Sequence, residues 1–172
     1  NLIFADAKPN RAHLALAELE KRDILKSVVT QNIDGLHQMA GSREVQELHG
    51  SVHRNYCMKC GEKYGLEYVV NYQDTVPKCR KCGGIVRPDV VLYEEGLDMS
   101  VLSKAAAHIR KADMLIVGGT SLAVYPAAGL IDYYGGNKLV LINKSSTPYD
   151  RRADLVINDS IGKVLGDAVF EQ

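Results

Sequence analysis

Two groups of residues in this chain could do chemistry. The first is Thr30-Gln31-Asn32-Ile33-Asp34-Gly35-Leu36-His37, with Glu47-Leu48-His49-Gly50 shortly after it. Two amides, two carboxylates and two imidazoles are gathered there, directly after the apolar pair Val28-Val29. Loops at the carboxyl ends of strands are where open α/β folds bind ligands. His49, at a strand end beside Gly50 and near Asn and Asp side chains, suits general-base work near neutral pH. A lone histidine nevertheless serves structure more often than catalysis.

The second group is the four cysteines, Cys57-x2-Cys60 and Cys79-x2-Cys82, with eighteen residues between the pairs. Two such knuckles separated by roughly 15–20 residues read as a tetrahedral zinc site. With every position filled by protein, the ion is structural rather than catalytic. Gly61 and Gly83-Gly84 let the backbone turn tightly near the sulfurs. The alternative, two redox or disulfide pairs, would leave a module too polar to bury a core. Thiolates that persist imply a reducing compartment, hence a cytoplasmic protein. With the cysteines committed to metal, no Ser-His-Asp or Cys-His nucleophile set can be assembled.

The elements that must position these groups follow from periodicity. Pro9 and Asn10 open a helix with Ala12, Leu16 and Leu19 on one face; His13 within it packs or caps. Residues 26–30 form a strand, and 45–48 another that delivers His49. Residues 54–88 form the zinc module, whose middle, 64–72, alternates like a strand. The run Val90-Val91-Leu92-Tyr93 follows, then a helix from Ser100 with Leu102, Ala105, Ala106 and Ile109 on one face. Met114-Leu115-Ile116-Val117, Leu139-Val140-Leu141-Ile142 and Leu155-Val156-Ile157 read as strands buried on both faces, as in a parallel sheet. A helix starting at Pro126 lies between the first two, and Asp159 caps a final one. Strand and helix alternating at this spacing mean an α/β fold: a Rossmann-like, mostly parallel sheet with helices on both faces. Its nucleotide-binding domain takes residues 1–53 and 89–172, with the zinc module inserted.

Charge excludes some functions. The 21 basic and 21 acidic side chains cancel, so no global field draws the chain to nucleic acid or anionic lipid. Its apolar runs fall far short of the about 20 residues a membrane helix needs. A doubly wound sheet would bring three polar strand ends to one crevice: Gln31-Asn32-x-Asp34, Gly118-Gly119-Thr120-Ser121 and Asn143. Glycines and hydroxyls there suit a nucleotide's phosphates, although such a turn can equally be only a turn.

In this order and combination the motifs Thr30–His37, Leu48-His49-Gly50, the paired CxxC knuckles, Gly119-Thr120-Ser121-Leu122 and Leu141-Ile142-Asn143 resemble the sirtuin family, bacterial type. The resemblance extends over essentially the whole chain. It implies an NAD-dependent deacylase of protein lysine that yields nicotinamide and O-acyl-ADP-ribose, with one structural zinc ion. It further implies that Asp34 holds the nicotinamide carboxamide, Asn32 the reacting ribose or its water, and Gln31 the ribose hydroxyls, with Ile33 beside them. His49 becomes the base. Thr120 and Ser121, next to Gly119, face the phosphates and neighbouring ribose, Asn143 the adenosine ribose, and the backbone near Ile161 the adenine. Acyl-lysine peptide adds as a strand between Val90-Val91-Leu92-Tyr93 and a second strand through Val124.

Three alternatives keep part of this. The same crevice could serve an NAD hydrolase or an ADP-ribosyl transferase, or the chain could be a non-catalytic zinc-stapled nucleotide-binding module. The family's opening strand, Gly-Ala-Gly phosphate loop and Asp-Phe-Arg segment do not occur in these 172 residues, so the expectation is a truncated cofactor site with doubtful activity on its own. A second departure is Tyr93-Glu94-Glu95, where the family has an aromatic residue, Gly and Glu.

Overall fold

The computed structural model of the protein describes residues 7–171. Residues 1–6, part of the segment assigned above to the nucleotide-binding domain, lie outside them, as does residue 172. In chain order the elements are α1 (Arg11–Lys21), β1 (Val28–Thr30), α2 (Leu36–Met39), β2 (Val45–Glu47), β3 (Gly50–Cys57), β4 (Lys63–Gly65), α3 (Leu66–Val70), β5 (Val86–Val90), α4 (Met99–Lys111), β6 (Leu115–Gly118), β7 (Leu139–Ile142), β8 (Leu155–Ile157) and α5 (Ile161–Phe170). Short 3₁₀ helices span Ala127–Tyr133 and Asp150–Arg152. Two compact units result. One holds Thr30–Gly35 and Glu47–Leu97, the other Ala7–Val29, Leu36–Gln46 and the chain from Asp98 onward.

The second unit is the α/β part. β6, β7 and β8 form a parallel sheet in that order. Alternation along β7 sends its side chains to two cores. Ile142 packs with Ala12, Ala15, Leu165 and Val169 of α1 and α5. Leu139 and Leu141 pack with Leu122 and with Ile131 of the first 3₁₀ helix. Helices therefore cover both faces of β7. The outer strands are wetter than their apolar runs suggest: Ile116 is 37% exposed and Leu155 50%. Among the described residues β6 and β8 are the outer strands of this sheet, and β7 alone is buried on both faces as expected.

Asn10 caps α1, accepting from the Ala12 and His13 N–H groups at 2.9 and 3.2 Å. His13 Nδ1 accepts in return from the Asn10 N–H at 3.2 Å, which completes a capping box. Asp98 caps α4 in the same way, through Ser100 and Val101. Ser160, rather than Asp159, occupies the N-cap of α5. Asp159 instead accepts from the Ser160 N–H and pairs with Lys163.

The first unit is antiparallel. β3 is central, with β4 and β5 on either side. It runs unbroken from Gly50 to Cys57, and a register shift between Ser51 and Asn55 adds a bulge against β5. Gly50 has φ +76°, and a Cβ there would lie 2.0 Å from the Asp89 carbonyl oxygen. Only glycine fits where β3 leaves His49. Arg54 then ties three segments together, donating to Glu47 at 2.6 Å and Asp89 at 2.9 Å.

Residues 64–72 depart from the expected strand. β4 ends at Gly65, and α3 follows at once. Tyr64, Tyr68 and Tyr72 recur every four residues across this short helix: Tyr64 stacks on Tyr68 at 4.3 Å, and Tyr68 meets Tyr72 edge-on at 5.6 Å. The guanidinium of Arg80 lies over the Tyr68 ring at 4.7 Å.

Candidate active site and metal centre

The loop after β1 is built by spending its main-chain carbonyls. Thr30 O accepts from the Leu48 N–H at 2.9 Å and Ile33 O from the Val52 N–H at 3.1 Å. Gln31 O accepts from His49 Nδ1 at 2.9 Å and Asp34 O from His53 Nε2 at 2.9 Å. Because a carbonyl can only accept, His49 must carry its proton on Nδ1. In the neutral ring Nε2 is then the bare nitrogen, a lone pair fixed in direction by the Nδ1 anchor. Asn32 is exposed and its N–H is held by Thr30 Oγ1 at 3.1 Å. The side chains of Gln31 and Asn32 have no partner among the described residues. Sequence reasoning thus placed Gln31, Asn32, Ile33, Asp34 and His49 in one cluster, and the structure gathers them in one unit. It missed His53. No periodicity links it to His49, which lies in the turn before β3.

A second strand-end turn lies in the other unit. Gly118 closes β6 where a Cβ would sit 2.4 Å from Ile161 Cδ1, so α5 starts hard against the strand end. Gly119 follows with φ +65°, its N–H donating to Ile142 O at 3.1 Å. Asn143 Oδ1 accepts from the Thr120 N–H at 3.0 Å, and Thr120 Oγ1 from the Leu122 N–H at 3.2 Å. Asn143 Nδ2 is buried with no acceptor among the described residues. Ser121 is exposed. Gly119, Thr120, Asn143 and Ile161 are therefore neighbours through this turn.

The expected peptide strands are shorter than the sequence suggests. β5 stops at Val90, and although the Val91 N–H still donates to His49 O at 3.0 Å, Leu92 and Tyr93 are exposed and form no ladder. A clasp ends the strand. Arg87 donates to both carboxylate oxygens of Glu95, at 2.8 and 3.0 Å, and to Val90 O at 3.0 Å. The Leu92 N–H donates to Glu95 Oε2 at 2.9 Å and the Glu95 N–H to Leu92 O at 3.1 Å. The Arg87 guanidinium and the Leu92 N–H hold the Glu95 carboxyl well below its usual range, at about 2. Inside this turn Glu94 adopts φ +70°, a left-handed conformation costing a non-glycine residue about 1 kcal/mol. Around Val124 there is no strand: residues 123–125 bend into the 3₁₀ helix, with Val124 and Tyr125 exposed.

Cys57, Cys60, Cys79 and Cys82 converge, all four sulfurs lying within 4.8 Å of one another. Cys57 and Cys82 are 3.5 Å apart, Cys60 and Cys79 3.6 Å. Zinc–sulfur bonds of about 2.3 Å in a tetrahedron need sulfurs about 3.8 Å apart, so the cage fits the ion. The crowded thiols hold their protons unequally. The Tyr64 hydroxyl, donating at 3.2 Å, pulls the Cys79 thiol down to about 6. At Cys60 the Glu62 N–H lowers the value, but Cys82, burial and the other thiols outweigh it and push it up to about 12. Holding all four as thiolates at this spacing would require a cation among them.

A family model described as the Sir2 family matches residues 1–126. The chain belongs to the Sir2 family. It is 68% identical over 164 residues, 95% of this chain and 67% of the relative, to an NAD-dependent protein deacetylase of Clostridium acetobutylicum. It is also similar to a Sir2 structure with p53 peptide and NAD+, at 42% identity and a TM-score of 0.90, covering 96% of this chain and 70% of that one. A third match is a Sir2 in complex with 2'-O-acetyl-ADP-ribose and deacetylated p53 peptide. It shows 42% identity and a TM-score of 0.88, with coverage of 96% and 73%. The Sir2 fold thus accounts for the parallel sheet with helices and the four-cysteine module. Among the described residues no helix is long and apolar enough to cross a membrane.

Proposed function

We propose that this protein is an NAD-dependent protein deacetylase that removes acyl groups, acetyl in particular, from lysine in proteins and peptides. The single observation that carries the reading is His49: its Nδ1 proton is engaged by Gln31 O, which leaves Nε2 as the lone-pair nitrogen in the same unit as Asn32 and Asp34. NAD supplies an electrophilic ribose carbon and a leaving group, which together make an otherwise inert amide reactive. The chain needs no protein nucleophile for this. The side chains of Gln31 and Asn32, without partners among the described residues, orient ribose hydroxyls and water; Asp34 holds the nicotinamide carboxamide, with Ile33 against the ring. His49 Nε2 takes the proton of a ribose hydroxyl as that hydroxyl attacks the acyl carbon, a role for which its direction is already fixed.

Thr120 and Ser121, at a turn that Gly119 keeps slim, serve the phosphates and adjoining ribose. Asn143 offers its unsatisfied Nδ2 to the adenosine end, and the backbone at Ile161 lies by the adenine. Peptide docks along Val90-Val91-Leu92-Tyr93 and against Val124, chiefly through main-chain hydrogen bonds. The zinc ion on Cys57, Cys60, Cys79 and Cys82 is structural. As domains, residues 1–53 and 89–172 carry the cofactor and 54–88 the metal. Four free thiols suited to zinc favour a cytoplasmic setting.

The test is nicotinamide release by the full-length protein. Release from NAD should depend on acetyl-lysine peptide and vanish in His49→Ala. Equal NAD consumption without peptide would make the protein a hydrolase instead, and product formation by His49→Ala would remove the assigned base.

A further inference from the structure

The turn that ends β5 holds one acid with nothing to do inside the fold. Glu95 is clasped by Arg87, Asp89 is paired with Arg54 at 2.9 Å, and Asp98 caps α4. Glu94 is exposed and has no hydrogen bond or ion pair among the described residues. It nevertheless occupies a left-handed backbone position, φ +70°, where glycine would sit without strain. The Arg87–Glu95 clasp and the Leu92–Glu95 backbone bond impose that conformation, so the Glu94 side chain is carried on a fixed base. Strain kept without an internal contact to offset it directs attention outside the chain.

The place of Glu94 says what it meets. Val91 is bonded to His49 O, and Glu94 stands three residues further on, inside the turn that the Leu92–Glu95 backbone bond closes. A peptide whose modified lysine reaches the catalytic histidine keeps its own backbone one extended lysine side chain away. That distance brings the residues flanking the lysine into the range of Glu94. Resting on the reading that acyl-lysine peptide docks along Val90–Tyr93, we propose that Glu94 is a specificity-determining residue that favours substrates with Lys or Arg close to the modified lysine.

The experiment uses the full-length protein and one acetyl-lysine peptide in three versions, with Lys, Ser or Glu at the two positions on each side. The readout is the ratio of kcat/KM between versions, at low and at high salt. An exposed ion pair of ordinary strength makes the Lys version about two- to fivefold better than the Ser version, and high salt erodes the advantage. Glu94→Gln should bring the ratio to about one and Glu94→Lys should invert it, while both variants retain the circular-dichroism spectrum of the wild type. A Lys-to-Ser ratio near one in the wild type, or a preference that Glu94→Gln leaves intact, overturns the assignment. Failure of the wild type to deacetylate even the Ser peptide overturns the deacetylase reading itself, and this one with it.

Discussion

The two strand-end turns solve one geometric problem in opposite ways. In the loop after β1, side chains hold main chain: two imidazoles and two strand amides take up the carbonyls of residues 30, 31, 33 and 34. In the turn after β6, glycines bring backbone close to helix α5, and one amide side chain, Asn143, bridges to Thr120. The first arrangement aims functional side chains, which chemistry needs. The second bares backbone and short hydroxyls, which binding of a bulky, charged ligand needs. On the proposed function, reactivity and affinity are thus written in different parts of the backbone.

Removing the metal should strike the first arrangement hardest. β3, which carries the amides facing residue 33, ends on a cysteine ligand, and zinc contributes about 10–16 kcal/mol of folding in small zinc domains. Dialysis against a strong chelator, or Cys79→Ala, should abolish deacetylation and the near-ultraviolet tyrosine signal of Tyr64, Tyr68 and Tyr72. Activity that survives stoichiometric zinc loss would break the link between cage and loop.

Next in size is the contrast between the two histidines. His49→Ala should lower kcat by about 10²–10⁴-fold, the span of a lost general base. His53→Ala removes only an exposed hydrogen bond to Asp34 O, so less than about 1 kcal/mol of stability and under tenfold in kcat are expected. If the two variants lose equal amounts of kcat, both imidazoles are props and the base lies elsewhere.

The other turn should answer in KM. Asn143→Ala frees the Thr120 N–H and removes the unsatisfied Nδ2, so KM for NAD should rise about tenfold with kcat changed much less, measured by varying NAD at saturating peptide. A matching loss in kcat would give Asn143 a role in the transition state and blur the division drawn above.

The smallest effect concerns acid. Glu95 has its folded-state value lowered to about 2 against an ordinary 4.5, so its contribution is complete above about pH 4.5 and is lost as pH falls from there toward 2. Urea midpoints at pH 3 and pH 7 should therefore differ less in Arg87→Ala than in wild type. Equal differences would show that the clasp does not hold the Leu92–Glu95 turn.

Much of this was legible before any coordinates. Cysteine spacing specified a cage because two short hairpin turns leave four sulfurs few places to go. Asn10 and the Ala12–Leu16–Leu19 stripe announced α1. What escaped was non-local. Tyr64–Tyr72 has strand-like composition, and only the four-residue spacing of its rings reveals the helix. The runs at Leu115 and Leu155 look doubly buried because apolar content does not report which strand is an edge. The end of β5 depends on Arg87 reaching Glu95, a pairing eight residues long that no periodicity encodes. His53 was overlooked because its partner is a carbonyl, which every residue possesses.

β3 also works as a ruler. One end abuts the histidine of the proposed reaction, the other is a zinc ligand, and the bulge between Ser51 and Asn55 is the slack in between. Adding or deleting one residue along it would reverse the facing of every side chain beyond the change and swing Cys57 away from its three companions. A two-residue insertion would restore the facing but lengthen the span. Drift in this stretch is therefore confined to exchanging side chains at constant count, and the register of a metal knuckle sets the tolerance with which a distant imidazole is held.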